Sequence, residues 1–493
     1  MAAVDFDDMQ GLLRFGYKHH TEAVFVLLRV RDAVAARAWL ATAPVADAVA
    51  TDRLPETVLQ LALSAPGLQA LGVPDRLLNG FAPEFVGGLG TDPHRARRLG
   101  DIGANAPAGW AWGGPGQAPH VLALLYALPG RLAAFQQALQ QQWSAGFELL
   151  QALPTSDLDG VEPFGFVDGI SQPSVDWQRA RPVEDKDRLD YTNLSCLGEF
   201  VLGYPNEYGR YTERPLLTAT STLPSAEEVP QSADLGRNGS YLVLRSLRQD
   251  VAGFWRFVKQ QAGGDGAAAQ QLAEAMVGRT MAGEPLAAST AVIEGVAADE
   301  QAANGFTYAA DPFGNRCPLG AHVRRSNPRN ADLPGGAATG LLARLTRVLG
   351  FDAAGLRRDI VASTRFHRLL RRGREYGPPP QSASADADRG LHFICLCADI
   401  ARQFEFVQGA WLMGPTFDGL PHESDPLLGH REPGPGGIAT DGFSMPQAEG
   451  AGRCLQGLPR FVTVTGGGYF FLPGLRALRY LASASNTSLP VGS

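Results

Sequence analysis

Ala23–Leu28 (AVFVLL) and Tyr241–Leu244 (YLVL) are two β-rich apolar runs that recur in the same local context. Each is followed by a short segment containing arginine and aspartate, and then by apolar residues at helical spacing. Each run therefore predicts a buried strand that leads into a helix. Two such similar units, so far apart in the chain, indicate an internal duplication.

A second pair of runs supports the duplication. Val121–Tyr126 (VLALLY) leads into the helical pattern of Gly130–Gln142, and Leu391–Cys397 (LHFICLC) leads into that of Asp399–Leu412. The order of the two units is the same in both halves of the chain. This repetition predicts an α+β fold of two similar halves, each with antiparallel strands and helices over one face, as in a split βαβ arrangement.

The division between the halves is predicted from turn residues. A stretch from about residue 173 to residue 239 is rich in proline and glycine and has little periodicity, which is typical of a linker. We therefore predict an N-terminal domain over residues 1–235 and a C-terminal domain over residues 236–493.

Composition limits the classes of partner. The 493 residues carry a net charge of −7, and no run of lysine or arginine stands out, so we expect no nucleic-acid partner. No stretch of about 18 apolar residues occurs, so we expect no membrane-spanning helix. Small-molecule substrates are favoured.

The N-terminus and the cysteines indicate a compartment. Met1–Leu13 carries three aspartates where a secretory signal would need positive charge and then an apolar core. The five cysteines are an odd number without zinc-ribbon spacing, so we expect a cytoplasmic protein. Cys395 and Cys397 could bind a metal, but their alternation within an apolar strand favours core packing.

The first segment with chemical potential is Phe164–Pro173 (FGFVDGISQP). Its glycines allow a sharp turn around Asp168 and a close approach of the backbone to a ligand. The aromatic and aliphatic neighbours are expected to desolvate the carboxylate, which would raise its pKa and suit proton transfer. The alternative is a turn aspartate that binds its own backbone.

The second segment is Cys317–Arg329 (CPLGAHVRRSNPR). His322 lies among small and apolar residues, where a neutral imidazole could ligate iron, and Arg324, Arg325 and Arg329 could pair with carboxylates such as haem propionates. A hydrogen-bonded structural histidine beside a solvated basic face is the alternative.

The third segment is Phe366–Gly377 (FHRLLRRGREYG), an alternating run that enters a turn. Most of its arginines are expected at the surface, but one that projects into an apolar cavity could stabilise negative charge on a bound peroxide. His367 competes with His322 as an iron ligand on local composition alone.

Taken together, these three segments resemble the dye-decolourising peroxidase family. Its members share a Gly-x-x-Asp-Gly element, a histidine followed by valine or isoleucine and arginine, and a later arginine. The resemblance runs from about Phe15 to Pro473 and includes Gly467–Pro473 (GGYFFLP). It implies two ferredoxin-like α+β domains with antiparallel sheets, and haem b held mainly by the C-terminal domain.

The resemblance also implies roles for individual residues. His322 matches the proximal iron ligand, Asp168 the distal acid and Arg371 the distal arginine. Arg371 is preferred to Arg372 because it follows two leucines and precedes Gly377 by six residues, as in the family pattern. Further matches are Arg329, which binds a propionate in some members, and the distal apolar residues Leu391 and Phe393.

The implied function is a haem-dependent peroxidase. Hydrogen peroxide is the expected oxidant, with Asp168 moving a proton between the peroxide oxygens and Arg371 stabilising the separating charge. Bulky aromatic donors such as dyes and phenols are the expected reductants. The alternatives are a non-catalytic haem carrier or sensor, an enzyme that oxidises porphyrins or removes their iron, and a haem-free scaffold.

One feature departs from compact members of the family. Arg371 follows His322 by 371 − 322 = 49 positions, which implies a larger subgroup that carries an insertion. The carboxylate that often binds the proximal imidazole has no clear match, and Asp425 is a candidate.

Overall fold

A computed structural model describes residues 3–180, 191–218, 222–287, 292–329, 364–379, 384, 387–447 and 450–483. The statements below concern these residues. Among them, no helix is both long and apolar enough to cross a lipid bilayer.

The N-terminal half contains four long strands and the helices between them. Its first strand enters its helix through Asp32, whose carboxylate accepts hydrogen bonds from the amides of Val34 and Ala35 and so caps the helix. The elements are β1 (Glu22–Val30), α1 (Ala33–Thr42), β2 (Thr57–Leu63), α2 (Ala65–Ala70), α3 (Asp75–Leu78), α4 (Pro83–Gly87), α5 (Pro93–Leu99), β3 (Val121–Ala127), α6 (Leu132–Trp143) and β4 (Phe147–Pro154).

Four short strands follow, and then the C-terminal half. Asp250 caps the helix after the first long strand of this half, as Asp32 does in the other half. The elements are β5 (Ser174–Val175), β6 (Leu194–Ser195), β7 (Leu216–Thr218), β8 (Ser232–Asp234), β9 (Ser240–Gln249), α7 (Val251–Gln261), α8 (Gly266–Val277), α9 (Gln301–Asn304), α10 (His322–Ser326), β10 (Leu370–Arg371), β11 (Arg374–Tyr376), β12 (Gly390–Cys397), β13 (Phe443–Met445), β14 (Arg453–Leu455), β15 (Val462–Leu472) and α11 (Leu475–Ser483).

The remaining helical segments are of the π and 3-10 types. Ala401–Glu405 and Val407–Leu412, which follow β12, form π-helix where the sequence predicts a helix; they occupy the place that α6 takes after β3. The 3-10 turns are Gly11–Leu13, Gly103–Asn105, Pro107–Gly109, Leu197–Glu199, Phe417–Gly419 and Pro435–Gly437.

The long strands confirm the predicted duplication. In the N-terminal half the antiparallel order is β2-β3-β1-β4, and in the C-terminal half it is β10-β12-β9-β15 with β11 also paired to β12. Both orders are those of a ferredoxin-like unit in which the first and third strands are central. The two sheets join through a single pair, Phe471 of β15 with Leu63 of β2, and form one sheet of nine strands.

The stretch between the halves differs from an exposed linker. Phe200, Val201 and Tyr204 are almost fully buried and belong to an apolar cluster that also contains residues of both sheets. Hydrophobic burial of these side chains ties the stretch to the main body. The division at residues 235 and 236, which falls between β8 and β9, stays a prediction.

Core packing accounts for the paired cysteines. Cys395 and Cys397 are fully buried on the same face of β12 and belong to the largest apolar cluster. The hydrogen bond with Cys395 and burial raise the pKa of the Cys397 thiol well above its usual value, which favours the neutral thiol over a metal-binding thiolate. The core-packing prediction is confirmed.

Candidate active site

A cavity of about 310 Å³ lies in the C-terminal half, against the face of the sheet that β9, β12 and β15 form. Helices α8 and α10, the π-helix after β12 and the loop that carries Asp168 close its other sides. The cavity wall contains all six residues predicted for the site, namely Asp168, His322, Arg329, Arg371, Leu391 and Phe393.

His322 is the first residue of α10 and is backed by a buried carboxylate. Its Nδ1 lies 2.9 Å from Oδ2 of Asp425, whose side chain is 0 % exposed, whereas 28 % of the imidazole surface remains accessible. The other oxygen of Asp425 accepts the amides of Leu427 and Leu428 at 2.9 and 2.8 Å. The carboxylate therefore has a fixed position, and donation from Nδ1 leaves Nε2 as the ring atom available for iron.

His322 and Asp425 each favour the charged form of the other. Burial disfavours a charged ring, but the Asp425 carboxylate outweighs burial and raises the pKa of His322. Burial likewise opposes the ionised form of Asp425, and the adjacent His322 reverses that effect and lowers the pKa of the carboxyl group. Asp425 thus gives the imidazole a strong acceptor, an arrangement typical of metal-ligating histidines.

His367 also lines the cavity but has a different environment. Its Nδ1 donates to the backbone carbonyl of Arg402, and its ring stacks on Phe406 with centroids 3.7 Å apart. Burial lowers the pKa of His367 to about 4. No carboxylate accepts from this ring among the described residues, so the geometry favours His322 over His367 as the ligand.

Asp168 stands at the end of a tight hairpin. The amide of Asp168 donates to the carbonyl of Gly160 at 2.9 Å, Val161 pairs with Val167, and the amide of Val167 donates to the carbonyl of Met281 at 3.2 Å. Gly169, which follows the acid, has a φ of 71°, a left-handed conformation that glycine adopts without strain. The predicted turn exists, and the side chain of Asp168 lines the cavity.

Asp168 forms an ion pair with Arg371 across that cavity wall. Nη1 of Arg371 lies 3.1 Å from Oδ1 of Asp168, and Nη2 donates to the carbonyl of Ser171 at 3.0 Å. The amide of Arg371 donates to Oε1 of Gln172 at 2.9 Å. About a third of each side chain is exposed, at 35 % for the acid and 34 % for the guanidinium, so both can reach a ligand.

The prediction that the pKa of Asp168 is raised is wrong. Burial does oppose the charged carboxylate, but the guanidinium of Arg371 and the amide of Gly169 outweigh it, and the pKa of Asp168 is lowered. The apolar neighbours in the sequence do not reveal Arg371, which lies 203 residues away. Asp168 is therefore an ionised base at neutral pH.

Arg372 points away from the cavity. Its guanidinium donates to the backbone carbonyls of Leu12 and Leu13 at 2.9 and 3.3 Å. Burial lowers its pKa to about 10. Of this pair, only Arg371 lines the cavity.

Arg324 and Arg325 are neither solvated nor part of the cavity wall, so both predictions for these two arginines, a solvated basic face and pairing with propionates, are wrong. Arg324 is fully buried and donates to the carbonyls of Asp311 and Cys317 at 3.0 Å. Arg325 is fully buried and donates to the carbonyl of Trp411 at 2.8 Å. Both guanidinium groups therefore tie these loops to α10.

A cluster of guanidinium groups at one part of the cavity fits an anionic ligand. Arg279, Arg329 and Arg368 line the cavity and donate mainly to neutral oxygens, for example the carbonyls of Asn304 and Phe306 for Arg329. No carboxylate of the described residues forms an ion pair with these three groups, and the Nε of Arg329 is buried without a hydrogen-bond partner in this part of the chain.

Such concentrated charge is costly without a counter-ion. Burial and the neighbouring Arg329 lower the pKa of Arg279 to about 10. Two carboxylates, as on the propionates of haem, match this charge. The remaining wall is largely apolar and includes Leu391 and Phe393 on β12, so the residues present fit a haem group.

The sequence did not indicate every polar residue of the cavity. Arg279 stands alone in the sequence, and Arg368 lies among arginines that were predicted at the surface although it is 6 % exposed. Glu162, two residues before the segment quoted above, also lines the cavity. The 49-residue spacing after His322 includes residues 330–363, and the predicted insertion lies largely outside the described residues.

The chain was compared with known proteins over its whole length. No protein-family model matches the chain. It is 26 % identical over 517 residues to a dye-decolorizing peroxidase of Mycetinis scorodonius, with 98 % of this chain and 88 % of the relative aligned. It is 29 % identical over 349 residues to a multifunctional dye peroxidase of Amycolatopsis sp., with 67 % of this chain and 62 % of the relative aligned.

A solved structure shares the fold. The crystal structure of a decolorizing peroxidase from Auricularia auricula-judae superimposes with a TM-score of 0.72 at 25 % identity, over 97 % of this chain and all of that chain. The likeness therefore covers both ferredoxin-like halves. Sequence and fold agree along nearly the whole length, so the chain is similar throughout to dye-decolourising peroxidases.

Proposed function

We propose that this protein uses haem b to reduce hydrogen peroxide and to oxidise bulky aromatic donors, with His322 as iron ligand and with Asp168 and Arg371 acting on peroxide. One observation carries the proposal. A single cavity collects an imidazole backed by the buried Asp425 carboxylate and a base paired with a guanidinium. A haem carrier would need the imidazole but not the second pair.

Several groups would hold the haem. His322 would ligate the iron through Nε2, and Arg329, with Arg279 and Arg368, would pair with the propionates. Leu391 and Phe393 would contribute apolar surface to the porphyrin pocket. When bound, haem b supplies the iron that binds peroxide and the electrons that reduce it.

Asp168 would move the proton. Its lowered pKa keeps the carboxylate ionised, so it can accept the proton from one peroxide oxygen and return it to the other. The protonated oxygen then leaves as water when the O–O bond breaks. Arg371 would donate hydrogen bonds to the oxygen on which negative charge develops.

Donor class and location are part of the same proposal. The relatives are named as dye peroxidases, which supports dyes and related phenols as reductants for this chain. All five cysteines are free thiols, which supports a cytoplasmic location, where thiols remain reduced.

An absorption spectrum tests the proposal. The purified chain, reconstituted with haem b, is expected to show a Soret band that changes on addition of peroxide and returns when a dye or phenol is oxidised. A chain that takes up haem without any spectral response to peroxide would instead be a carrier. A chain that takes up no haem would contradict the cofactor assignment.

The Arg371→Leu variant is expected to alter both the rate and the pH dependence of the peroxide reaction. Loss of the donor should slow the reaction by roughly a hundredfold. Without the guanidinium, burial dominates and the pKa of Asp168 rises, so the rate should begin to fall at a higher pH as the solution is acidified. Stopped-flow measurements across the acid range check this.

Arg371→Lys is the matched control for charge. It keeps a cation near Asp168 but loses the planar fork, so we expect most of the rate loss with a smaller change in the acid limb. An unchanged acid limb in Arg371→Leu would contradict the electrostatic role given to the guanidinium.

A further inference from the structure

Glu162 is a second carboxyl group in the cavity wall, and the proton transfer described above does not use it. It lies six residues before Asp168, on the opposite arm of the same hairpin. Its amide donates to the carbonyl of Phe166 at 2.8 Å, and its own carbonyl accepts the amide of Gly165 at 2.8 Å. These two bonds close the tip of the hairpin.

The side chain of Glu162 joins this hairpin to the sheet. Oε1 accepts the amide of Phe166 at 3.1 Å, and Oε2 accepts Nε2 of Gln249 at 2.7 Å. Gln249 is the last residue of β9, a central strand of the C-terminal sheet. One carboxyl group thus fixes the arm that carries Asp168 and anchors that arm to the strand beside β12.

From these contacts we infer that Glu162 is a positioning residue, which holds Asp168 where it can accept the proton of peroxide. The inference rests on the proposed function and adds a residue to it. Proton transfer requires the base within hydrogen-bond reach of peroxide, and small displacements of such a group cost large factors in rate.

The charge of Glu162 is compatible with this role. Burial raises the pKa of Glu162 to about 7, and the charge of Asp168 adds to the rise, whereas Arg371 lowers the pKa of Asp168. Asp168 is the charged group that acts on Glu162 from the facing arm, and Gln249 is its neutral partner on β9. Below neutral pH, therefore, the hairpin holds one ionised and one neutral carboxyl group, and like-charge repulsion is avoided.

Gln249 can form a hydrogen bond with either the ionised or the neutral carboxyl group of Glu162. Its Oε1 is buried without a hydrogen-bond partner among the described residues. If the amide flips, this oxygen can accept a hydrogen bond from neutral Glu162 or from a glutamine in its place. Glu162→Gln should therefore keep both the bond to the amide of Phe166 and the link to β9, whereas Glu162→Ala removes them.

The hairpin has other anchors, so the variants are expected to fold. Nε1 of Trp255 donates to the carbonyl of Phe164 at 3.0 Å, and the amide of Val167 donates to the carbonyl of Met281. Haem content and thermal unfolding by circular dichroism verify this. Glu148→Gln, an exposed change on β4 far from the cavity, is the matched control for mutation of a glutamate.

The test compares Glu162→Ala, Glu162→Gln and Gln249→Leu as haem-loaded proteins. We expect Glu162→Ala and Gln249→Leu to slow the stopped-flow reaction with peroxide by about tenfold. Glu162→Gln should stay within about twofold of the parent. Cyanide supplies a second readout without turnover, because hydrogen cyanide must give up its proton on binding; its affinity should fall in Glu162→Ala and recover in Glu162→Gln.

A double-mutant cycle separates positioning from general disruption. In an Asp168→Asn background, Glu162→Ala should cause no further loss of rate, because the group that it positions is already inactive. An equal loss in both backgrounds, or a silent Glu162→Ala variant, overturns the role of Glu162 and leaves the proposed function intact. A silent Asp168→Asn variant overturns both.

Discussion

Replacing His322 with alanine is expected to abolish the haem spectrum and reduce the peroxide reaction to that of free haem. The imidazole is the proposed iron ligand, and the variant leaves Asp425 as a buried carboxylate without its partner. Nothing else of the described residues presents a carboxylate-backed imidazole to this cavity. The Soret absorbance per protein after reconstitution and gel filtration measures the loss.

His367→Ala is the informative control, because this second histidine lines the same cavity. We expect it to retain the ligand-derived spectrum, since its Nδ1 is bound to a backbone carbonyl and its ring is stacked on Phe406. Added imidazole should partly restore the spectrum of His322→Ala by entering the space left by the side chain. A lost spectrum in His367→Ala with a normal one in His322→Ala would exchange the two assignments.

Asp168→Asn is expected to slow the reaction with peroxide by about a thousandfold while the resting haem spectrum stays largely unchanged. Asparagine is close in size and can remain in the hairpin, but it cannot accept a proton at neutral pH. The stopped-flow rate of the peroxide-induced spectral change measures the effect, and haem content measures whether the pocket is intact.

Asp159→Asn provides a matched control on the same loop. Asp159 is exposed and has a φ of 55°, a conformation that asparagine tolerates, so this variant should react at the parent rate. If Asp168→Asn were as fast as the parent and Arg371→Leu slow, the arginine would carry peroxide activation and the acid would have a structural role.

The strands were predictable from the sequence because a buried strand appears as a local run of apolar residues. Val121–Tyr126 and Leu391–Cys397 are continuous apolar runs, and both lie at central positions of their sheets as β3 and β12. A strand that is buried on both faces needs apolar residues on both, so it can be recognised without knowing which strands it pairs with. The π-helical form of the segment after β12 has no such signal in the sequence.

The surroundings of individual charged side chains, in contrast, were predicted poorly. Arg324 and Arg325 look like a basic surface in the sequence, yet both are buried among carbonyls of distant loops. The direction of the Asp168 pKa was wrong for the same reason, because Arg371 comes from another strand. Residues that are distant in the sequence determine these charge environments, so local composition does not reveal them.

The sequence by itself determined the duplicated strand–helix order, the buried strands and the three segments that carry the acid, the imidazole and the guanidinium. Only the tertiary structure decided that Asp425 backs His322, that Arg371 rather than Arg372 faces the cavity, and that Glu162 links the acid loop to β9. Periodicity records which residues are buried, because hydrophobic burial acts on each residue separately. Hydrogen bonds and ion pairs are directional and join residues far apart in the chain, so their partners appear only when the chain is folded.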